Sequence, residues 1–76
     1  MTEVEWLDVF SDNLVSMMRE HDITQRELAY ETGLSESAIS NYIHRRQIPC
    51  LKAIINIAHF LDCSIDELID FDEDIN

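Results

Sequence analysis

The chain has 76 residues and a formal net charge of −11, and 46% of its residues are hydrophobic, a fraction typical of a folded domain. One Gly and one Pro are too few for a sandwich or barrel with many tight turns, so the composition favours an all-α fold. Because we find neither an apolar run of about 18 residues nor a basic-then-apolar leader, we expect a cytoplasmic protein without a membrane segment. The two cysteines are expected to be reduced thiols.

The acidic residues are concentrated at the two ends of the chain. Residues 1–23 carry a net charge of −5 and residues 62–76 carry −7, whereas residues 24–61 carry +1. Three of the four bases of this middle part, Arg45, Arg46 and Lys52, fall within eight residues. Because salt screens charges beyond roughly 8–10 Å, an acidic total does not exclude a local surface that binds anions.

The first predicted helix covers roughly residues 4–21. Leu7, Phe10, Leu14 and Met17 recur there at helical spacing, and Asp22 is a plausible stop. This spacing is typical of a helix that buries one face.

A helix, a turn and a second helix follow. Thr24 and Glu27 form a capping box that begins a short helix ending near Thr32. Gly33 permits a left-handed turn, and Ser35 can cap a third helix. The residues from about 24 to 44 are therefore predicted to form a helix-turn-helix unit.

The last third of the chain predicts two more helices. A polar loop over 44–48 leads to Pro49 and a fourth helix, whose apolar positions are Leu51, Ile54, Ala58 and Leu61. Ser64 and Glu67 form a second capping box, which predicts a short fifth helix. We find no repeat and no second domain, so we expect a compact five-helix domain over 1–69 and an acidic tail over 70–76.

Several of these motifs together resemble the lambda-repressor/Cro-like (XRE-like) helix-turn-helix family. They are Ile23-Thr24-Gln25-Arg26-Glu27-Leu28-Ala29, Gly33-Leu34-Ser35, Ile39-Ser40, Arg46, Pro49, Leu51 and the stretch from Ala58 to Leu68. The resemblance spans roughly residues 10–69. It implies a five-helix domain that binds double-stranded operator DNA as a homodimer, with the third helix in the major groove.

The resemblance also implies two groups of contact residues. The residues expected at the DNA backbone are Gln25, Ser35, His44, Arg45, Arg46 and Lys52. The residues expected to read bases are Glu36, Ser37, Ser40 and Asn41. Asn41 could pair with adenine through two hydrogen bonds, and Glu36 could accept one from cytosine.

The chain departs from the family pattern at several positions. Met18 and Ile43 stand where many members have an Arg and a Glu that form an ion pair, and joint replacement by apolar residues costs little. Cys50 stands in place of the usual Ser or Thr cap of the fourth helix, and Arg45 stands where a Gly usually ends the third. Glu36 places a carboxylate against DNA, which opposes binding unless it meets a cytosine.

Other chemistry has little support in the sequence. Cys50, His59 and Cys63 match no common zinc spacing, so we expect no metal site and no cofactor. No nucleophile with a base and no pair of carboxylates is indicated, so we expect no catalysis and no small-molecule ligand.

Four apolar side chains exceed what the predicted core requires and could form a dimer interface if they cluster. They are Trp6, Ile55, Phe60 and Phe71.

Two hypotheses remain from different functional classes. The first is a bacterial or bacteriophage transcriptional regulator, most simply a repressor, without a ligand or protease domain. The second is a protein-interaction module on the same fold, such as an anti-repressor, an antitoxin subunit or an acidic DNA mimic. Glu36 and the acidic flanks support the second.

Overall fold

The computed structural model of the chain describes residues 3–69, with side chains from Trp6 onward. It contains five helices: α1 (Glu3–Glu20), α2 (Gln25–Thr32), α3 (Glu36–Ile43), α4 (Leu51–Leu61) and α5 (Ile65–Ile69). No strand occurs within these residues, and the predicted all-α five-helix fold is confirmed. The tail predicted over 70–76, including Phe71 and the acidic run from Asp70 to Asp74, lies outside the described residues.

Side-chain caps begin three of the helices. Thr24 Oγ1 accepts the Glu27 amide hydrogen at 3.1 Å at the start of α2. At the start of α5 the predicted capping box forms with both of its hydrogen bonds. Ser64 Oγ accepts from the Glu67 amide at 3.1 Å, and Glu67 Oε1 accepts from the Ser64 amide at 2.8 Å. Cys50 begins α4 without a side-chain capping bond, as its chemistry predicts.

Left-handed residues end α1, α2, α3 and α4 in the same way. Asp22, Gly33, Arg45 and Asp62 have φ of 55°, 77°, 58° and 55°. The residue after each donates its amide hydrogen to the carbonyl five positions earlier, at 2.8–3.1 Å. Glycine adopts this conformation without a Cβ penalty, whereas the other three residues bear its steric cost. The turn at Arg45 therefore keeps the usual geometry despite its side chain.

All five helices contribute to the core: α1 packs against α3 and α5, α4 packs against α2 and α5, and α2 packs against α3. The fully buried large side chains of the core are Phe10, Leu14, Leu28, Ile39, Ile57 and Leu68. Phe10 meets the ring of Tyr42 edge to face, with centroids 6.2 Å apart, and Ser11 Oγ donates to the Tyr42 carbonyl at 2.6 Å. These contacts fix the orientation of α3 on α1.

The structure corrects two details of the apolar pattern. Leu51 was expected on the inner face of α4 but is 66% exposed, because it is the first residue of the helix and Ala53 and Ile57 complete the buried face instead. Trp6 stacks on Phe10 and packs, like Phe60, against the core, so neither is a free apolar side chain. No described helix is long and apolar enough to cross a membrane.

Candidate nucleic-acid interface

The helix-turn-helix unit is held together by hydrogen bonds at its turn. The amides of Gly33 and Leu34 both donate to the Ala29 carbonyl, at 3.0 and 3.1 Å. The buried Thr32 hydroxyl donates to the Leu28 carbonyl at 2.7 Å, and Ser35 Oγ accepts from the Ala38 amide at 3.0 Å. The end of α2 and the start of α3 are thus fixed relative to each other.

The packing of α3 separates an inner face from an outer one. Ile39 and Tyr42 are buried in the core, and burial, together with the nearby Cys50, raises the pKa of the Tyr42 phenol. Glu36 and Ser37 are exposed, whereas Ser40 and Asn41 are half-buried. The four residues expected to read bases therefore lie together on α3, away from the fully buried positions.

A hydrogen-bonded group of side chains, here called the polar cluster, joins the end of α3 to the following loop. It consists of Ser40, Asn41, Arg46 and Gln47. Arg46 Nε donates to Asn41 Oδ1 at 3.2 Å, and Asn41 Nδ2 donates to Gln47 Oε1 at 3.1 Å. Arg46 also donates to Ser40 Oγ at 3.4 Å. The structure thus joins two expected base-reading residues to one expected backbone-contacting residue.

His44 is attached to the same end of α3. Its Nδ1 lies 2.9 Å from the Ser40 carbonyl and 3.4 Å from Ser40 Oγ. The carbonyl can only accept a hydrogen bond, so Nδ1 is the ring nitrogen that carries a hydrogen and donates it to the Ser40 carbonyl. The exposed ring is held beside the polar cluster.

Arg45 lies apart from the polar cluster and faces α1. Its Nε is 2.7 Å from Asp8 Oδ1 and its terminal nitrogen is 2.5 Å from Asp12 Oδ1. These are the ion pairs found among the described residues. The charge of Arg45, a residue expected to contact the DNA backbone, is therefore already neutralised by two carboxylates of the same chain.

The remaining expected backbone contacts lie at helix starts. Gln25 is the first residue of α2 and is half-buried, and Ser35 caps α3. Lys52 is exposed in the first turn of α4. Free amides at the starts of α2 and α3 provide positive potential for a phosphate.

Gln47, Asp8 and Asp12 belong to this region but were not identified from the sequence. Asp8 and Asp12 are four residues apart on α1 and so share one helix face. Only the packing of α1 against α3 shows that this face meets Arg45. Gln47 had no sequence signal beyond its position next to Arg46.

The described residues contain no group of three or more His, Cys, Asp or Glu side chains placed to hold a metal ion. Cys63 is half-buried, and burial raises its thiol pKa, with smaller contributions from Glu67 and Asp62. Cys50 is exposed at the start of α4.

The fold, the fixed turn and the polar outer face of α3 define a helix-turn-helix DNA-binding domain. A model of the Cro/C1-type helix-turn-helix DNA-binding domain family matches residues 13–74, and the chain belongs to that family. The resemblance noted in the sequence is thereby confirmed.

Two known proteins show the extent of the similarity. An HTH-type transcriptional regulator of Bacillus subtilis (strain 168), YqaE, is 33% identical over 61 residues, which are 80% of this chain and 53% of YqaE. The match thus spans about half the length of that relative. The solution structure of the SOS-response transcriptional repressor LexA from Eubacterium rectale superposes with a TM-score of 0.85 at 23% identity, over 100% of this chain and 82% of that one. This second likeness concerns the fold.

Proposed function

We propose that the chain is a non-enzymatic, sequence-specific DNA-binding transcriptional regulator that acts in the bacterial cytoplasm by occupying an operator, most simply as a repressor of bacterial or phage type. The observation that carries this proposal is the polar cluster, because it places Ser40, Asn41 and Arg46 together at the end of the helix expected to enter the major groove. The domain responsible would be residues 1–69, followed by the acidic tail over 70–76.

The two groups of contact residues have different tasks in this proposal. Gln25, Ser35, His44 and Lys52 would contact phosphates and set the position of the domain on the duplex. Arg45 and Arg46 would join them, Arg45 only by leaving its carboxylate partners. The base-reading residues would be Glu36, Ser37, Ser40 and Asn41.

The distribution of charge limits non-specific binding. Few cations lie near the proposed interface, and the flanking segments carry −5 and −7. Since each neutralised phosphate adds roughly 0.9 to the salt slope, we expect a shallow slope, and a slope steeper than about ten for a dimer would contradict the proposed contacts.

A second copy of the chain is the proposed partner on the surface of α4. Leu51 and Ile55 lie four residues apart on this helix and are 66% and 45% exposed, and Ile48 just before it is 45% exposed. An apolar strip of this kind on a domain whose base-reading face is elsewhere suits a homodimer on two half-sites.

Sedimentation velocity tests the homodimer. Leu51→Lys should convert dimer into monomer, because the strip would then bury a charge. Tyr30→Lys is a matched control, since Tyr30 is 83% exposed on α2 and lies outside the strip. Equal dissociation in both variants would contradict this surface.

A specific observation also favours the protein-interaction module. Asp8 and Asp12 neutralise one of the few bases near the interface, and Glu36 adds an exposed carboxylate to the outer face of α3. Both features weaken attraction to DNA and suit a basic protein partner.

Selection from a random double-stranded DNA library, followed by fluorescence anisotropy on the enriched duplex, separates the two functions. We expect one enriched motif, and a roughly tenfold or larger loss of affinity in Asn41→Ala and Arg46→Ala. Arg19→Ala, which removes the same charge from the last turn of α1, is the control and should have a smaller effect. No enrichment at low salt would overturn the regulator and favour the interaction module.

A further inference from the structure

The side-chain amide of Asn41 is bound at both of its ends by residues of the loop that follows α3. Its Oδ1 accepts from Arg46 Nε at 3.2 Å, and its Nδ2 donates to Gln47 Oε1 at 3.1 Å. The loop itself is anchored to the same residue, because the Arg46 amide donates to the Asn41 carbonyl at 2.8 Å. Asn41 and its two partners therefore form one unit.

These two bonds fix how the Asn41 amide is rotated, with its oxygen toward Arg46 and its nitrogen toward Gln47. A guanidinium has only donors, so rotating the Asn41 amide by half a turn would place its NH2 group against the Arg46 N–H and lose that bond. Gln47 could turn its own amide to follow, but Arg46 cannot change from donor to acceptor. Arg46 thus sets the order of donor and acceptor, and Gln47 stabilises it.

The bonds leave the amide able to recognise a base. An Asn side chain has two donor hydrogens and two acceptor lone pairs, and the bonds to Gln47 and Arg46 use one of each. One donor and one acceptor remain, which is what the N7 and N6 groups of adenine require. Guanine presents an acceptor, O6, in place of the N6 donor, so a fixed Oδ1 would be repelled by guanine, whereas an amide free to turn could donate to it.

We propose that Arg46 and Gln47 are positioning residues that make Asn41 select adenine over guanine in double-stranded DNA. This inference rests on the proposed function and deepens it: Arg46 acts on base selection through Asn41, in addition to any contact with phosphate, and Gln47 enters the interface although it touches no base.

The test is library selection with the full chain, followed by anisotropy on duplexes that differ only at the position whose preference Asn41→Ala abolishes. The wild type should prefer adenine to guanine there by roughly tenfold or more. Gln47→Met has similar length but only a weak acceptor, its thioether sulfur. It removes one of the two bonds that hold the Asn41 amide while Arg46 keeps the other, so the adenine preference should fall by roughly twofold or more while the other positions of the motif keep theirs.

Gln47→Glu is the conservative variant that should rescue selectivity. A carboxylate can only accept, so it would keep the Asn41 NH2 group turned toward residue 47. Its added negative charge should weaken binding to all sequences equally without changing the adenine preference. Circular dichroism and thermal unfolding of both variants verify the fold, and Gln47 is exposed, so we expect little change.

The failure of the inference differs from the failure of the proposed function. If the wild type enriches no motif, both the proposed function and this inference are overturned. With an enriched motif, the inference alone is overturned if no position loses an adenine preference in Asn41→Ala. Full adenine selectivity in Gln47→Met, or an equal loss at every position, would also overturn it.

Discussion

Arg45 Nε lies 2.7 Å from Asp8 Oδ1, and this contact joins the loop after α3 to the acidic face of α1. Asp12, one turn further along α1, binds the same guanidinium. Arg45 also has a left-handed backbone with φ of 58°. Arg45 thus combines two ion pairs to α1 with a backbone conformation, in the turn after α3, that costs roughly 1–2 kcal/mol for an L-residue.

The double variant Asp8→Asn/Asp12→Asn should bind duplex DNA more tightly and with a steeper salt dependence. Without these carboxylates Arg45 can interact with a phosphate, which adds roughly 0.9 to the salt slope per subunit. Since partly exposed ion pairs contribute only about 0–1 kcal/mol, the variant should remain folded. Anisotropy titrations at several salt concentrations measure both effects.

Glu20→Gln/Asp22→Asn is the matched control, because it removes two carboxylates from the last residue of α1 and the turn after it without touching Arg45. It should raise affinity slightly through net charge and steepen the salt slope less than Asp8→Asn/Asp12→Asn does, because it frees no cation for a phosphate. Equal slopes for the two double variants would show that Arg45 does not reach DNA when it is released.

Cys50→Ser should stabilise the domain. Cys50 occupies the N-cap position of α4 with extended backbone angles, φ of −78° and ψ of 168°, and its side chain makes no capping bond. A serine hydroxyl there can accept from a free amide of the first turn, a contribution of about 1 kcal/mol. Urea unfolding measures the change, and Cys50→Ala, which removes the thiol without adding an acceptor, should show no gain.

Gly33→Ala should destabilise the domain by about 1–2 kcal/mol through backbone conformation alone. Gly33 has φ of 77°, and a Cβ built there would meet no atom within 4 Å, so no steric contact adds to the cost. Gly33→Asn should cost less, because Asn tolerates the left-handed region better. A loss above about 3 kcal/mol in urea unfolding of Gly33→Ala would contradict a purely conformational effect.

The helices were predictable from local signals, and the interface was predictable only in part. The caps at Thr24, Ser35 and Ser64 and the single Gly33 depend on residues three or four positions apart, so the sequence contains all the information that they need. Leu51 is exposed although it shares the spacing of the buried positions, because it is the first residue of α4, and periodicity does not show where a helix begins.

Contacts between distant residues were not predictable. Asp8 and Asp12 reach Arg45 across more than thirty positions of the chain, and the orientation of the Asn41 amide depends on two loop side chains. The resemblance assigned Arg45 and Arg46 to one role, because both are cations after the third helix. The structure separates them: Arg45 is paired with α1, and Arg46 is bonded to the end of α3.

Met18 and Ile43 provide a test of how the fold replaces an ion pair with apolar packing. Met18 is 7% exposed, Ile43 is half-buried, and both line one cleft of about 420 Å³ between α1, α2 and α3. Met18→Arg or Ile43→Glu alone places a charge at this site without its former partner and should destabilise the domain. The loss should be smaller than the roughly 3–5 kcal/mol of a fully buried unpaired charge, because Arg19 and Asp22 line the same cleft.

The double variant Met18→Arg/Ile43→Glu should be more stable than the sum of the single changes predicts. Two opposite charges lining one cleft can pair, and residues in contact typically show a coupling of about 0.5–3 kcal/mol. A double-mutant cycle by urea unfolding measures this coupling. Additive losses would mean that the cleft no longer brings the two side chains together, whereas a favourable coupling would show that the backbone has kept the geometry of an ion pair that the chain itself lacks.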